Sequence, residues 1–171
     1  MLEMLYLNSN QLTGNIPVEV GQLTALWYLA LFDNQLTGTI PVEVGQLVAL
    51  EQLYLYKNQL MGIIPSTVGY MESLDELWLH DNLLVGELPS GMSSMRNLRG
   101  LFLQNNLLTG HLGEAFNHET QLQLSHVDMS NNRLSGSLSA EMFLLPQLRV
   151  LALSGAYENL TSLAMKLILT L

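Results

Sequence analysis

Cysteine is missing from all 171 residues, which removes disulfide frameworks and thiolate metal sites from consideration. Positive charge is scarce. Six Lys and Arg stand against 15 Asp and Glu, for a net charge of -9. Nucleic-acid binding depends on counterion release from a basic face, and attraction to an anionic membrane surface needs the same charge, so both are poor partners. Residues 1–20 hold no charged segment followed by an apolar one, as a signal peptide would. The most apolar stretch, Leu160 to Leu171, is about a dozen residues long and contains Lys166, against the roughly 20 a membrane-spanning helix requires. Direct membrane insertion of this chain is not expected, and a chain made of these residues alone would be cytoplasmic. Catalytic signatures are missing too. No G-x-S-x-G, phosphate loop or dinucleotide fingerprint occurs, and His118-Glu119 is followed by Leu122 where a zinc-protease motif requires a second His. Neither enzyme activity nor a cofactor is expected.

What the chain has in abundance is leucine at fixed intervals. Hydrophobic residues make up 49% and charged residues only 12%, well below the usual charged fraction of roughly 25%. The pattern L-x-x-L-x-L-x-x-N-x-L-x-G-x-[IL]-P begins at Leu2, Leu26, Leu50, Leu74, Leu98 and Leu124, with a partial copy from Leu148. A spacing of 24 residues suits neither one helix nor one strand. It is one supersecondary unit stacked on copies of itself, a solenoid.

Within L-x-x-L-x-L-x-x-N the apolar residues alternate with period two, the mark of a short strand. The leucines at the fourth and sixth positions face the core, and the third, fifth and seventh positions face solvent. Stacked copies set the strands about 4.8 Å apart in a parallel sheet. Asn10, Asn34, Asn58, Asn82, Asn106 and Asn132 stand where the chain leaves the strand. There a short amide can satisfy backbone groups of its own and the neighbouring coil, which makes the column a structural ladder. Gly14, Gly38, Gly62, Gly86, Gly110 and Gly136 supply a conformation denied to other residues. Pro17, Pro41, Pro65 and Pro89 then fix φ and open the convex side. Val20, Val44, Val68, Met92, Phe116 and Met142 are the next inward residues. Leu23, Leu47, Met71, Met95 and Leu145 follow at a spacing suited to a short helical turn.

The repeat L-x-x-L-x-L-x-x-N-x-L-T-G-x-I-P-x-x-[VL]-G-x-L resembles the plant-type leucine-rich repeat found in ectodomains of receptor-like kinases, in receptor-like proteins and in polygalacturonase-inhibiting proteins, with comparable repeats in protists. The resemblance covers residues 2–155. It implies a right-handed α/β solenoid with a parallel sheet on its concave face and short helical turns on its convex side. It also implies ligand recognition along the concave or lateral face, and an extracellular or cell-surface parent protein. The chain departs from the pattern in places. The fifth repeat has His111, Leu112, Gly113 in place of [IL]-P and two extra residues before Leu124. Ser139 replaces the proline of the sixth, Ala156 stands at the Asn position of the seventh, and the cysteine caps of extracellular members are missing. Residues 1–155 are therefore expected to form the repeats. Residues 156–171 form a tail in which Asn159, Leu160, Leu163, Ala164, Leu167 and Leu171 have the spacing of an N-capped amphipathic helix over the last coil. The sequon Asn159-Leu160-Thr161 lies in the same tail.

The information specific to this chain lies between the leucines. The three solvent-facing columns hold seven of its two Trp, six Tyr and four Phe. Tyr28, Phe32, Tyr54, Tyr56, Trp78 and Phe102, with His80, form a contiguous group on neighbouring strands, flanked by Asp33, Glu76 and Asp81 and by Glu51 and Asp75. Exposed aromatics in one patch mark a binding surface, and the acids suit a protein or peptide ligand with positive charge. Cross-strand ring pairs also stabilise a sheet for its own sake, by about 0.2–1 kcal/mol each, so a scaffold without a ligand is the competing reading. Sugar stacking on Trp78 and Tyr54 is a weaker third. His126 and Asp128, two apart on one strand and near His111 and His118, have the residue types of a His/Asp metal site. Histidines beside an insertion are more often plain loop residues, and no metal is expected.

Overall fold

The computed structural model describes residues 1–136, 138 and 140–156. The expected tail helix and the sequon at Asn159 fall outside them, as does Ser139. Among the described residues, seven parallel strands form one sheet: Met4–Tyr6, Tyr28–Ala30, Gln52–Tyr54, Glu76–Trp78, Gly100–Phe102, His126–Asp128 and Val150–Ala152. Each begins one coil, numbered here one to seven. Identical repeat positions pair throughout: Met4 with Tyr28, Gln52 with Glu76, Gly100 with His126. The two additional residues of coil five therefore leave the sheet register untouched.

Across from the sheet, coils one to four each carry a five-residue 3-10 helix: Val18–Gln22, Val42–Gln46, Ser66–Tyr70 and Ser90–Ser94. The preceding prolines hold φ between -61° and -70° in extended backbone, and their carbonyls accept the first turn's N–H, as Pro17 O does from Val20 N at 3.1 Å. Five residues suffice for i→i+3 bonding and are too few to propagate an α-helix. The chain returns through short parallel pairings on a lateral face, Thr13–Asn15 with Gln35–Thr37 and Met61–Gly62, Leu83–Gly86 and Leu107–Leu108 with one another. The repeated glycines after the asparagines have φ between +74° and +81°. The core is a column of leucines. Leu29, Leu53, Leu77, Leu101 and Val127 are buried, as are Leu55, Leu79 and Leu103. Coil one is different: Leu7 keeps 38% of its surface and Leu2 47%, because it is covered from one side only.

The asparagine column ties the coils together. The Asn82 amide donates to Leu79 O in its own coil and to Leu55 O in the preceding one, both at 3.0 Å, while its Oδ1 accepts Leu60 N–H at 3.0 Å. Asn34, Asn58, Asn106 and Asn132 repeat this three-way bond. Asn10 bonds only within its own coil, to Leu7 O and Asn8 O.

Coil five breaks the helical pattern. Its residues 112–123 form turns, and coil six has a single α-turn at Ala140–Phe143. The inward position held elsewhere by Leu23, Leu47, Met71, Met95 and Leu145 is here Gln121, fully buried. Its Nε2 donates to Met92 O at 2.9 Å and Ala115 O at 3.3 Å, and its Oε1 accepts from Asn117 N at 2.9 Å. The Gln121 amide thus pairs two backbone groups of the irregular stretch, Ala115 O and Asn117 N, and ties that stretch to coil four through Met92 O.

In urea denaturation, Asn82→Ala should lower the unfolding free energy by about 3 kcal/mol, since several buried groups lose their partner together. Asn10→Ala, lacking the bonds between coils, should cost under about 1 kcal/mol. Gln121→Leu should destabilise by about 2 kcal/mol although its column is otherwise apolar; an unchanged or raised midpoint would show that the Gln121 bonds contribute nothing.

Candidate binding surface

At the end of each strand one residue turns into the left-handed region: Ser9, Asp33, Lys57, Asp81, Asn105 and Asn131, with φ between +52° and +58°, and Gly155 at +64°. Asp, Asn and Gly tolerate this conformation best, and they dominate the column. Sequence reasoning overlooked it, although the residue before each ladder Asn carries that signal. The kink sets the column's side chains on one line. Asn105 Nδ2 donates to Asp81 Oδ1 at 2.6 Å, and Asn131 Nδ2 to Asn105 Oδ1 at 2.8 Å.

Alongside this line, the sheet brings the expected aromatic residues into one array. Tyr6 and Tyr28 lie 4.5 Å apart between ring centres, Tyr28 and Tyr54 5.5 Å, Tyr54 and Trp78 5.0 Å, and Trp78 and Phe102 4.8 Å. A second row stacks nearly parallel, Phe32 on Tyr56 at 4.4 Å and Tyr56 on His80 at 4.4 Å. Trp78 joins the rows through Tyr56 at 5.7 Å. In-register parallel strands cause this, because equal repeat positions become neighbours one strand spacing apart. All these rings but Tyr6 are half-buried, so each is partly covered by its neighbours and partly exposed. Such pairs contribute about 0.5–1.5 kcal/mol each beyond their buried area.

Not every position in the columns faces solvent as expected. Ala30 and Gly100 are buried and Ser130 nearly so, since long neighbours lean over the small residues. A Cβ at Gly100 would collide with the Glu76 carboxylate, which occupies the space left there. From it Glu76 Oε2 accepts the Trp78 indole N–H at 2.8 Å. Tyr54 O–H likewise donates to Gln52 Oε1 at 3.2 Å. Two residues at the third repeat position thus hold two of the four rings at the fifth position by their polar ends.

The acids divide into committed and open groups. Asp81 accepts from His80 Nδ1 at 2.8 Å and from Asn105. A carboxylate only accepts, so that ring nitrogen carries the proton. Desolvation pushes the Asp81 carboxyl up, but the bonds from His80 and Asn105 outweigh it and hold it below the usual value. Asp33 and Glu51 are exposed, and Asp75 Oδ1 has no hydrogen bond, with Arg99 Nε 3.4 Å away. The Tyr54 phenol is pushed up to about 12 by burial, with Glu76 adding to it.

The histidine group does not assemble. His126 bonds Ser125 Oγ at 2.9 Å, Asp128 accepts from Ser130 N, and His118 pairs with Glu141 at 2.6 Å away from the sheet. Among the described residues no three His, Asp or Glu could hold a metal ion.

The profile of the family described as Leucine Rich Repeat matches residues 1–23, 49–71 and 123–145. No curated protein sequence matches. Solved structures do. The plant peptide hormone receptor RGFR1, in complex with RGF2, is 39% identical over 89% of this chain, with a TM-score of 0.85. The ectodomain of the Arabidopsis receptor kinase HAESA, in complex with an extended IDA peptide hormone ligand, is 35% identical over 90%, with a TM-score of 0.83. A plant ice-binding protein is 29% identical over 90%, with a TM-score of 0.74. The chain spans about a quarter of the two receptor chains (24% and 25%) and 56% of the ice-binding protein.

A phenol with a raised pKa in the folded state stabilises the fold below the ordinary value and loses that contribution as pH climbs through the raised one. Phenolate absorbance of the folded protein should therefore keep a component near pH 12 that Tyr54→Phe removes. Wild-type stability should also fall more steeply than that of Tyr54→Phe between pH 10.0 and about 12. Identical titration curves would contradict the assignment.

Proposed function

We propose that this chain, a leucine-rich repeat protein of the plant type, is a non-catalytic recognition module that holds a protein or peptide against the face of its sheet. The observation that carries this reading is the array of half-buried rings around Trp78, running across coils two to five and bordered by the exposed carboxylates of Asp33 and Glu51. Rings already packed on one another have lost little freedom still to be paid on binding, so their exposed parts offer contact area at low entropic cost. The fold alone does not choose a ligand; peptide-bound receptors and an ice-binding protein share it. Resemblance at 39% and 35% identity to chains whose structures contain peptide hormones favours a peptide.

Tyr28, Phe32, Tyr54, Tyr56, Trp78 and Phe102 supply the contact area. Asp33 and Glu51 supply exposed negative charge, with Asp75 paired to Arg99, which selects a ligand with basic and apolar side chains. Glu76, Asp81 and His80 act indirectly, by fixing Trp78 and the Asn105 line. The repeats within residues 1–155 form the recognition unit, in a parent protein at the cell surface or outside the cell.

Selection from a random peptide display library tests this. Captured sequences should be enriched in Lys or Arg next to aromatic or aliphatic residues and should bind more weakly as salt rises. Trp78→Leu/Tyr56→Ala, confirmed folded by circular dichroism, should weaken capture by about tenfold or more. Equal capture by wild type and variant would remove the aromatic array from the function.

A further inference from the structure

On the helical flank, away from the sheet, a cleft of about 710 Å³ opens between coils three, four and five, lined by Gly69, Tyr70, Glu72, Ser94, Arg96, Asn97 and their neighbours. We propose that it binds a neutral saccharide. Its size falls in the range of small-ligand sites. Its position follows from the sequence: the flank carries Gln22 and Gln46 where Tyr70 stands, and Thr24 and Val48 where Glu72 and Arg96 stand. The lining therefore belongs to these coils and not to the repeat.

Three of its side chains are uncommitted. Tyr70 is 66% exposed, and among the described residues it has no stacked ring and no hydrogen bond, in contrast to the rings of the sheet. Glu72 and Arg96 lie in the same column on successive coils, yet their charged groups form no ion pair with each other or with any described residue. Asn97 is held in place, its Nδ2 donating to Glu72 O at 2.8 Å, which leaves Oδ1 as a free acceptor.

The charges narrow the ligand. An anion meets Glu72, and a cation meets Arg96. Apart from the Tyr70 ring, the lining residues are polar, charged or glycine, so an aliphatic peptide side chain finds no hydrocarbon side chain to pack on. A neutral ligand with many hydroxyls satisfies all of them. Its O–H groups donate to the Glu72 carboxylate and Asn97 Oδ1, its oxygens accept from the Arg96 guanidinium, and the C–H face of a pyranose covers Tyr70. This division of polar rim and aromatic platform is absent from the sheet face, whose rings pack against each other.

The test is isothermal titration with cellohexaose, mannohexaose and hexagalacturonate, with amide resonances of Gly69, Gly91 and Asn97 followed by NMR. At least one neutral hexasaccharide should bind with a millimolar or tighter Kd and shift those resonances. Tyr70→Ala should weaken it by about tenfold or more. Gly91→Gln gives a second variant. A Cβ there would meet only Gly69 Cα at 3.6 Å and Ser66 O at 3.7 Å, ordinary contacts, so the fold should persist with the cleft filled and binding lost. Trp78→Leu should leave binding unchanged. Failure of both neutral sugars to bind, tighter binding of hexagalacturonate, or loss of binding in Trp78→Leu with retention in Gly91→Gln would each overturn the proposal.

Discussion

Every coil of this protein leaves backbone groups that its own residues cannot satisfy, and the molecule is organised by the need to supply partners from the next coil. Strand N–H and C=O groups find theirs in the sheet. Where the chain leaves the strand, the ladder asparagine replaces the missing ladder bonds, donating to a carbonyl of its own coil and one of the preceding coil and accepting an N–H of the preceding coil. A buried unpaired amide costs about 1–3 kcal/mol, and the same bond recurs at coil after coil. This is why Asn recurs at that position in coils one to six while its neighbours vary; coil seven carries Ala156 there.

The same constraint places the functional surface. Bonding in strict register puts equal positions of successive repeats side by side, so an aromatic residue repeated in sequence becomes an array in space. Phe32, Tyr56 and His80 stack for this reason. Coil five shows how an irregularity is contained. The register of Gly100 with His126 survives because the additional residues are taken up by turns on the far side. Gln121 pairs backbone groups there.

Much of the fold was legible in the leucine spacing, because a period-two strand followed by Asn, Gly and Pro leaves few ways to close a coil. The composition of the surface array was legible as well, since the residues between leucines are counted directly. Hidden from that reading were the left-handed column at Asp33, Asp81, Asn105 and Asn131, and the burial of Ala30 and Gly100. Each depends on what a neighbouring coil puts beside the residue. Gln121 was also overlooked, since a polar residue in a loop-like stretch carries no mark of being inside.

The sequence by itself determined the repeat, its length, the inward leucines and the acidic, aromatic character of the outer positions. These follow from periodicity, which is a local property of the chain. Only the tertiary structure decided which side chains are free. Trp78 and Glu76, two residues apart, are bonded to each other because Gly100 on the next strand leaves room. Glu72 and Arg96, opposite in charge on successive coils, form no ion pair with each other across a cleft. Availability for a ligand depends on what surrounds a group in three dimensions, and residues 24 or more positions away supply those surroundings.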